Sequence, residues 1–578
     1  MYIVVGGGVA GLTVASRLSE DPTVKVLLLE AGPADNGELF VEVPGMIGNG
    51  IGTIYDWNLS TVPQAHLNGA PRSLPQGRGL GGGSLINGML WSRGEIGDWE
   101  NFVQLGNPEW SWQDMLPYFM RSETYTPLSS VELSEEYSIE ADMSVHGTSG
   151  PINVSFPHYF WTSSADLFSG LNQLGVPTAY DPNEGLIAGA SFLPLSLDPV
   201  EEMRATARKG YFDPFVLRPN LYVTTGQAVT QIIFEGRGTD SNETAMTSEG
   251  MSFASNAETS SQQITASREV IMAAGALHSP QLLMLSGIGP AVALRALRIP
   301  VNVDLPDVGS NLHDHGQVWA WYPYNNSNIT TPLDFFTNST FANDAWTDYW
   351  ANQTGPMTTA AFDGVAFPSL PFITNGSNAI AYAASLQSAG QYLPVNTDPT
   401  VSAGYAEQLT LLVDALADPT RAGYEIINAN DGALTVANMR PLSRGTIALN
   451  SSNPFDPPVI DPRYGSNPID AQVLLAALRF NERLIATNSL AAMNPIQQYP
   501  PPDATDEQLL QYIAANMQTE YHPAGTNAMM PLALGGVASP ELLVYGTSNL
   551  RVVDASIIPM LPAAHLQAVV YGIAEKVP

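Results

Sequence analysis

The sequence predicts an α/β fold, α+β over the whole chain, in which a parallel sheet is assembled from scattered pieces and a second domain is inserted between them. Three observations predict it. Tyr2-Ile3-Val4-Val5 is a short apolar run of the kind that forms a buried parallel strand, and it leads at once into Gly6-Gly7-Gly8-Val9-Ala10-Gly11. Comparable apolar runs return far along the chain, at Glu269 to Ala273 and at Leu550 to Ile558. The chain also has 578 residues, too many for one ordinary core.

The opening glycines read as G-x-G-x-x-G. Gly6 permits a tight turn, Gly8 lets the backbone approach a pyrophosphate, and Gly11 lets helix and strand pack closely. Leu12 to Leu18 continues as a helix whose free N-terminal N–H groups suit phosphates. Lys25 to Leu29 is a second strand, and it ends in Glu30. That residue stands where an acid accepts hydrogen bonds from a ribose hydroxyl. The unit implies a bound dinucleotide and leaves NAD and FAD equally open. A Gly/Pro/Asn-rich stretch follows, then a second dense glycine loop from residue 77 and a helix at Trp112 to Ser122. Residues 123–150 are polar and acidic and read as a surface excursion. Leu221 to Thr225 and Val229 to Phe234 alternate as strands. Residues 236–262, rich in Gly, Ser, Thr, Asn and Glu, read as an exposed hairpin tip or mobile loop. Residues 316–530 form a separate layer.

The net charge is −33, from 55 acids against 22 bases, which argues against nucleic acid or an anionic membrane as partner. No apolar run approaches the ~20 residues needed to span a bilayer. The absence of cysteine excludes disulfides and thiolate chemistry. Nine N-x-S/T sequons occur, at Asn58, Asn153, Asn242, Asn325, Asn328, Asn338, Asn352, Asn375 and Asn450. Five crowd between Asn325 and Asn375, which favours a secreted or secretory-pathway glycoprotein. No signal peptide precedes the first strand, so the sequence is expected to lack its precursor's N-terminus.

The second loop is Gly77-Arg78-Gly79-Leu80-Gly81-Gly82-Gly83-Ser84-Leu85-Ile86-Asn87. Its glycines let backbone N–H groups lie against a charged or planar ligand. With Trp91, Gly94 and Glu100 downstream it resembles the first signature of the glucose–methanol–choline (GMC) oxidoreductases. Gly275 to Gly289 resembles that family's second signature. Val308-Gly309-Ser310-Asn311-Leu312-His313-Asp314-His315, then Ser443-Arg444-Gly445 with Pro457, Pro458 and Asp461, and finally Leu550 to Ser556 complete an ordered set spanning the chain. The resemblance implies FAD rather than NAD. It also implies a Rossmann-like FAD domain beside a substrate domain on a large antiparallel sheet. Residues 1–35, 75–125, 210–315 and 535–578 are assigned to the FAD domain, and 36–74, 126–209 and 316–534 to the substrate domain.

By position, His522 in Tyr521-His522-Pro523-Ala524-Gly525-Thr526 and His565 in Pro562-Ala563-Ala564-His565-Leu566-Gln567 resemble the family's active-site pair. An alcohol releases hydride easily only once its O–H proton is being removed, and an imidazole suits that task. His522 is assigned as general base, with His565 bonding the alcohol oxygen and able to share the proton role. For FAD the resemblance carries over Gly6, Gly8, Gly11, Glu30, Arg78, Gly82, Ser84, Asn87, Met89, Val229, Asp554, Ala555 and Gln567. His313 and His315 form an H-x-H, but a metal needs three or four converging ligands, and no metal is expected. His66, His146, His158 and His278 are read as structural.

Departures from the pattern narrow the branch. Ile86 stands where some members attach FAD through a histidine, so non-covalent FAD is expected. Gly88 stands where aryl-alcohol oxidases carry an aromatic. Ile86-Asn87-Gly88 and Met529-Met530-Pro531 resemble instead the secreted fungal glucose oxidase and dehydrogenase branch. Yet Gln518 and Glu520 replace the Arg and Asn with which those enzymes meet sugar. A substrate pocket of Gln518, Glu520 and Tyr521 therefore suits a small non-sugar alcohol: aryl, allylic or from secondary metabolism. Three activities stay open: an oxidase producing H2O2, a quinone-reducing dehydrogenase, and a non-redox cyclase on the same fold. Oligomeric state is not legible.

Overall fold

The computed structural model describes residues 1–235, 245–326, 328–362 and 364–577. Two sheets organise them. In chain order their strands are β1 (Tyr2–Val5), β2 (Val26–Leu29), β3 (Ala190–Phe192), β4 (Leu221–Thr224), β5 (Val270–Met272), β6 (Gly316–Val318), β7 (Gly364–Ala366), β8 (Tyr424–Asn428), β9 (Leu434–Asn438), β10 (Gln518–Thr519) and β11 (Leu550–Val552). One sheet is parallel, in the order β11-β5-β1-β2-β4. Its members come from both ends and the middle of the chain. Their Val, Ile and Leu side chains are largely buried on both faces, as a parallel sheet covered by helices requires. The other is antiparallel throughout, in the order β10-β6-β9-β8-β7-β3.

Four helices matter for the site: α1 (Val9–Leu18), α2 (Trp112–Ser122), α3 (Gly275–Leu285) and α4 (Leu566–Lys576). The α2 bounds agree with the sequence reading, and Ser111 and Asp114 close a capping box at its start. Helix α4 packs on both α1 and α2. Arg17 of α1 grips the buried carboxylate of Glu575 at 2.8 Å and 2.7 Å, and Tyr211 donates to the same group at 2.6 Å.

Two sequence expectations need correction. Residues 236–262 are not simply a loop. Ser248–Ala254 is the central strand of a three-stranded antiparallel sheet with Ala228–Phe234 and Gln262–Thr265. Polar composition hid it, yet Met251 and the half-buried Phe253 alternate, and the Gly250 backbone lies against Ile264 with no room for a side chain. Asn242 lies outside the described residues. Residues 123–150 are not wholly a surface excursion either. Glu123 and His146 are buried, with Glu123 held by Arg93 at 2.5 Å and by the Trp91 indole at 2.7 Å. His146 bridges Glu123 at 2.7 Å and Asp181 at 2.9 Å, a structural role as expected of it.

Candidate active site

The dinucleotide end is made of backbone. The Gly6 N–H donates to Leu29 at the end of β2, and Gly6 itself adopts φ +99°, a conformation favouring glycine. A Cβ on Gly11 would run into the carbonyl of Gly6, so Gly11 serves strand–helix packing. Gly8 differs. Its φ of −81° suits any residue, and a Cβ there would meet only Gly82 Cα, at 3.7 Å. Internal packing therefore does not demand glycine at this position; an open approach for a ligand does. From the other side, a Cβ on Gly82 would come within 2.6 Å of Gly8 Cα, and the Gly81 N–H donates to Gly7 O at 2.8 Å. The two glycine loops thus meet edge to edge and form a cradle suited to a pyrophosphate.

Around this cradle the structure gathers the other residues expected at the ADP end. Glu30 accepts from the N–H of Gly7 and of Gly32, each at 2.6 Å, and burial pushes its carboxyl up to about 7. Gln227 N–H donates to Glu30 O, which brings Val229 and its strand alongside. Arg78 lies over the Trp57 ring at 5.0 Å. Asp554 accepts from Gly275 N–H and Ser279 through one oxygen and from Ser556 N–H through the other. It ties the start of α3 to Ala555.

The residues expected at the flavin end are linked through side chains. Asn87 Nδ2 donates to Gln567 Oε1 at 3.0 Å, and Asn87 Oδ1 accepts from Met89 N–H at 3.1 Å. Ser84 accepts from Ala207 N–H. Arg204, which the sequence reading missed, is buried and donates to Asn87 O at 2.8 Å, to Asn87 Oδ1 at 2.6 Å and to Val41 O. Nothing around Arg204 in the sequence signals this role.

His522 and His565 come together although 43 residues separate them: their rings are edge-on with centroids 5.1 Å apart. His565 caps the start of α4. Its backbone N–H donates to Ser92, and the preceding Ala563 N–H donates to Asp98, which is itself held by Arg440 and Arg421. The His565 Nε2 lies 3.0 Å from Glu425 Oε1. The His522 backbone N–H donates to Asp314 at 3.0 Å. Asp314 also accepts from Thr519 and Tyr464, and burial pushes its carboxyl up to about 6.

Behind His522 stands His315, with Nδ1 to Nδ1 at 3.0 Å. The H-x-H pair therefore splits: His313 turns to Asn311 O, whereas His315 enters the site. Glu520 is 4% exposed, so it does not face solvent, while Tyr521 is 47% exposed and sits at φ +69°. Gln518, Gln317, Ala437 and Glu425 lie in one row across β10, β6, β9 and β8, and hence on one sheet face. Glu425 was missed, though a charged residue inside the apolar strand Tyr424–Asn428 was a usable signal. Beside this face Met89, Val365, Ala437 and Ala563 form an apolar cluster flanked by Ile47, Phe362 and Ile427. Burial and the neighbouring histidines hold His522 well below its ordinary pKa, and burial pulls His315 down to about 3. Both imidazoles are therefore neutral at rest, as a base must be. His315, Glu520 and His522, and likewise Glu425, Glu520 and His565, bring ligand-type atoms within 4.8 Å.

Of the sequons, Asn58, Asn325, Asn328, Asn338, Asn352, Asn375 and Asn450 are exposed; Asn153 is half-buried with its Nδ2 bonded to Asp198 at 2.8 Å. Among the described residues no helix is long and apolar enough to cross a membrane.

Comparison with known proteins follows this geometry. Two family models described as GMC oxidoreductase match residues 1–317 and 441–574. The dehydrogenase xptC of Emericella nidulans is 37% identical over all of this chain and 92% of its own length. An FAD-dependent oxidoreductase from Chaetomium thermophilum superposes with a TM-score of 0.95 at 36% identity, covering 100% of this chain and 98% of that one. A fungal aryl-alcohol oxidase gives 0.91 at 30% identity, covering 100% and 97%.

Proposed function

The chain belongs to the GMC oxidoreductase family, and on that premise we propose that it oxidises a small, non-sugar alcohol and passes the electrons to dioxygen. FAD is its cofactor, and when bound it supplies the hydride acceptor. The observation that carries the proposal is the pair of neutral His522 and Glu425-anchored His565, held edge to edge.

Nδ1 of His522 is engaged with His315, so Nε2 is the nitrogen left to take the alcohol proton. Removing that proton builds alkoxide character, which expels the hydride from the adjacent carbon. Nε2 of His565 is engaged with Glu425, which leaves Nδ1 for the substrate oxygen. Two backbone anchors, Asp314 on His522 and Ser92 on His565, keep the rings from drifting, and orientation of this kind lowers the barrier. The apolar cluster with Phe362 over Gly88 favours an aryl or allylic carbinol over a polyol. Gln518, Gln317 and Glu425 are the polar groups in that row of the sheet, and buried Glu520 stands beside His522.

Ile86 in place of an attaching histidine supports non-covalent FAD, which acid precipitation should release into the supernatant. The exposed sequons support secretion as a glycoprotein, to be read as a mass shift on glycosidase treatment. The decisive experiment is a panel of aryl, allylic and sugar alcohols scored by flavin bleaching under nitrogen, followed by reoxidation with air or a quinone. Aryl or allylic alcohols should bleach fastest and air should yield H2O2. Preference for a sugar overturns the substrate class, reoxidation by quinone alone makes the protein a dehydrogenase, and no bleaching by any alcohol favours the non-redox reading.

A further inference from the structure

Glu520 is the least accounted-for group near the reactive centre. It is buried, and neither of its carboxyl oxygens meets a hydrogen-bond donor among the described residues. Oε2 faces two nitrogens at once, His315 Nδ1 at 3.5 Å and His522 Nδ1 at 3.6 Å. Within 4.8 Å lies the carboxyl of Glu425, whose Oε1 is taken by His565 while its Oε2 meets no donor. The titratable groups facing Glu520 are thus Glu425, Asp314, His315, His522 and His565. Among the described residues no arginine or lysine pairs with it.

Two carboxylates side by side in a dry site cannot both stay ionised. A single proton gives both carboxyls a partner. If Glu520 carries it, its O–H donates to the free Oε2 of Glu425, which then accepts from Glu520 and His565 together. The remaining oxygen of Glu520 becomes a neutral acceptor facing the two histidines. An acceptor there favours a proton on His522 Nδ1, shared with His315, and this leaves Nε2 with its lone pair. Without it, His315 is the one acceptor left to Nδ1 among the described residues, and the competing tautomer, with Nε2 protonated and unable to act as base, gains population. Burial and the nearby Glu425 and Asp314 charges act in the same sense on Glu520, favouring the neutral form.

We propose that Glu520 is a positioning residue that works as a neutral acid, hydrogen-bonded to Glu425 on one side and fixing the base-competent tautomer of His522 on the other. The inference rests on the His522 assignment made above, and it makes a counterintuitive demand: the carboxyl should be replaceable by an amide but not by a hydrocarbon. In Glu520→Gln the amide N–H donates to Glu425 and the amide oxygen faces His522, as the protonated acid does. In Glu520→Leu both bonds are lost.

The test uses FAD-loaded enzyme in two readouts. In ¹⁵N spectra of histidine-labelled protein, with His522 assigned by its own substitution, wild type and E520Q should show a protonated Nδ1, and E520L a mixed or reversed tautomer. This readout needs no substrate, so it stands even if no alcohol bleaches the flavin. With whichever alcohol does bleach it, E520Q should keep the anaerobic reduction rate within about 3-fold, and E520L should lose about 10²-fold at unchanged KM. Wild type should lose rate at alkaline pH as Glu520 ionises, whereas E520Q should not. Collapse of E520Q to the level of E520L means that the carboxylate is required and overturns the proposal. So does an E520L enzyme with the wild-type tautomer. Should E520L fail to fold, E520Q alone decides, by tautomer and by pH profile.

Discussion

The two ends of the cofactor site are built from different materials. The dinucleotide end is backbone: Gly6, Gly8 and Gly11 within one strand–turn–helix, met by Gly81 and Gly82 of a second loop. The reactive end is side chain: His315, Glu425, Glu520, His522 and His565, drawn from β-strand ends and a helix cap spread over 250 residues. A backbone cradle depends on where side chains are missing and survives many substitutions around it. A side-chain cluster depends on proton positions, so a single atom exchange can disable it while leaving the fold untouched.

Substitutions should separate the two. The largest effect belongs to His522→Ala, which should cut anaerobic flavin reduction by about 10²–10⁴-fold while FAD remains bound. Stopped-flow bleaching checks it, and a near-normal rate would break the contrast by moving the base elsewhere. Next is Gly8→Val. A Cβ there meets only Gly82 Cα, at 3.7 Å, so the variant should fold with native circular dichroism yet be purified largely free of flavin. A yellow, fully loaded variant would mean that the cradle does not hold the pyrophosphate. By contrast Gly11→Ala should fail at folding, because its Cβ collides with the Gly6 carbonyl.

The smallest effect concerns pH. Burial pushes Glu202 up to about 8 and Asp307 and Asp314 up to about 6. Each folded-state pKa lies above its unfolded value, so the folded protein binds extra protons between about pH 4 and pH 8. Their contribution to stability is complete at the acidic end and is lost as pH rises through these values. The melting temperature should therefore fall by a few degrees between pH 5 and pH 8, as calorimetry can measure. A rise over that interval would contradict the assignments.

The same contrast explains what the sequence disclosed. Tyr2 to Glu30 was legible because strand, turn, helix and acid are neighbours in the chain, and their periodicity is local. Trp112–Ser122 was legible for the same reason, with its capping box beside it. Ser248–Ala254 was not, because its partners supply the burial that its polar composition does not suggest. His522 and His565 were legible only through resemblance to a family's motifs. Glu425, Arg204 and the role of His315 were hidden because their meaning arises from sheet register and from contacts more than 100 residues distant. Glu520 was noticed as a departure, but whether it faced the solvent or the core needed the structure.

The route of the chain through the parallel sheet sets a timetable. β1 is laid down first, yet β5 beside it arrives after residue 270 and β11 at the edge only after residue 550. Helix α4, which braces α1 through Glu575 and carries His565, arrives later still, after residue 565. Contacts of such sequence separation form slowly and late. A growing chain thus presents its two glycine loops, which meet within the first 90 residues, long before β5 and β11 complete the sheet beneath them. A ribosome stalled before residue 550 would therefore carry the parallel sheet without its edge strand β11 and the site without His565.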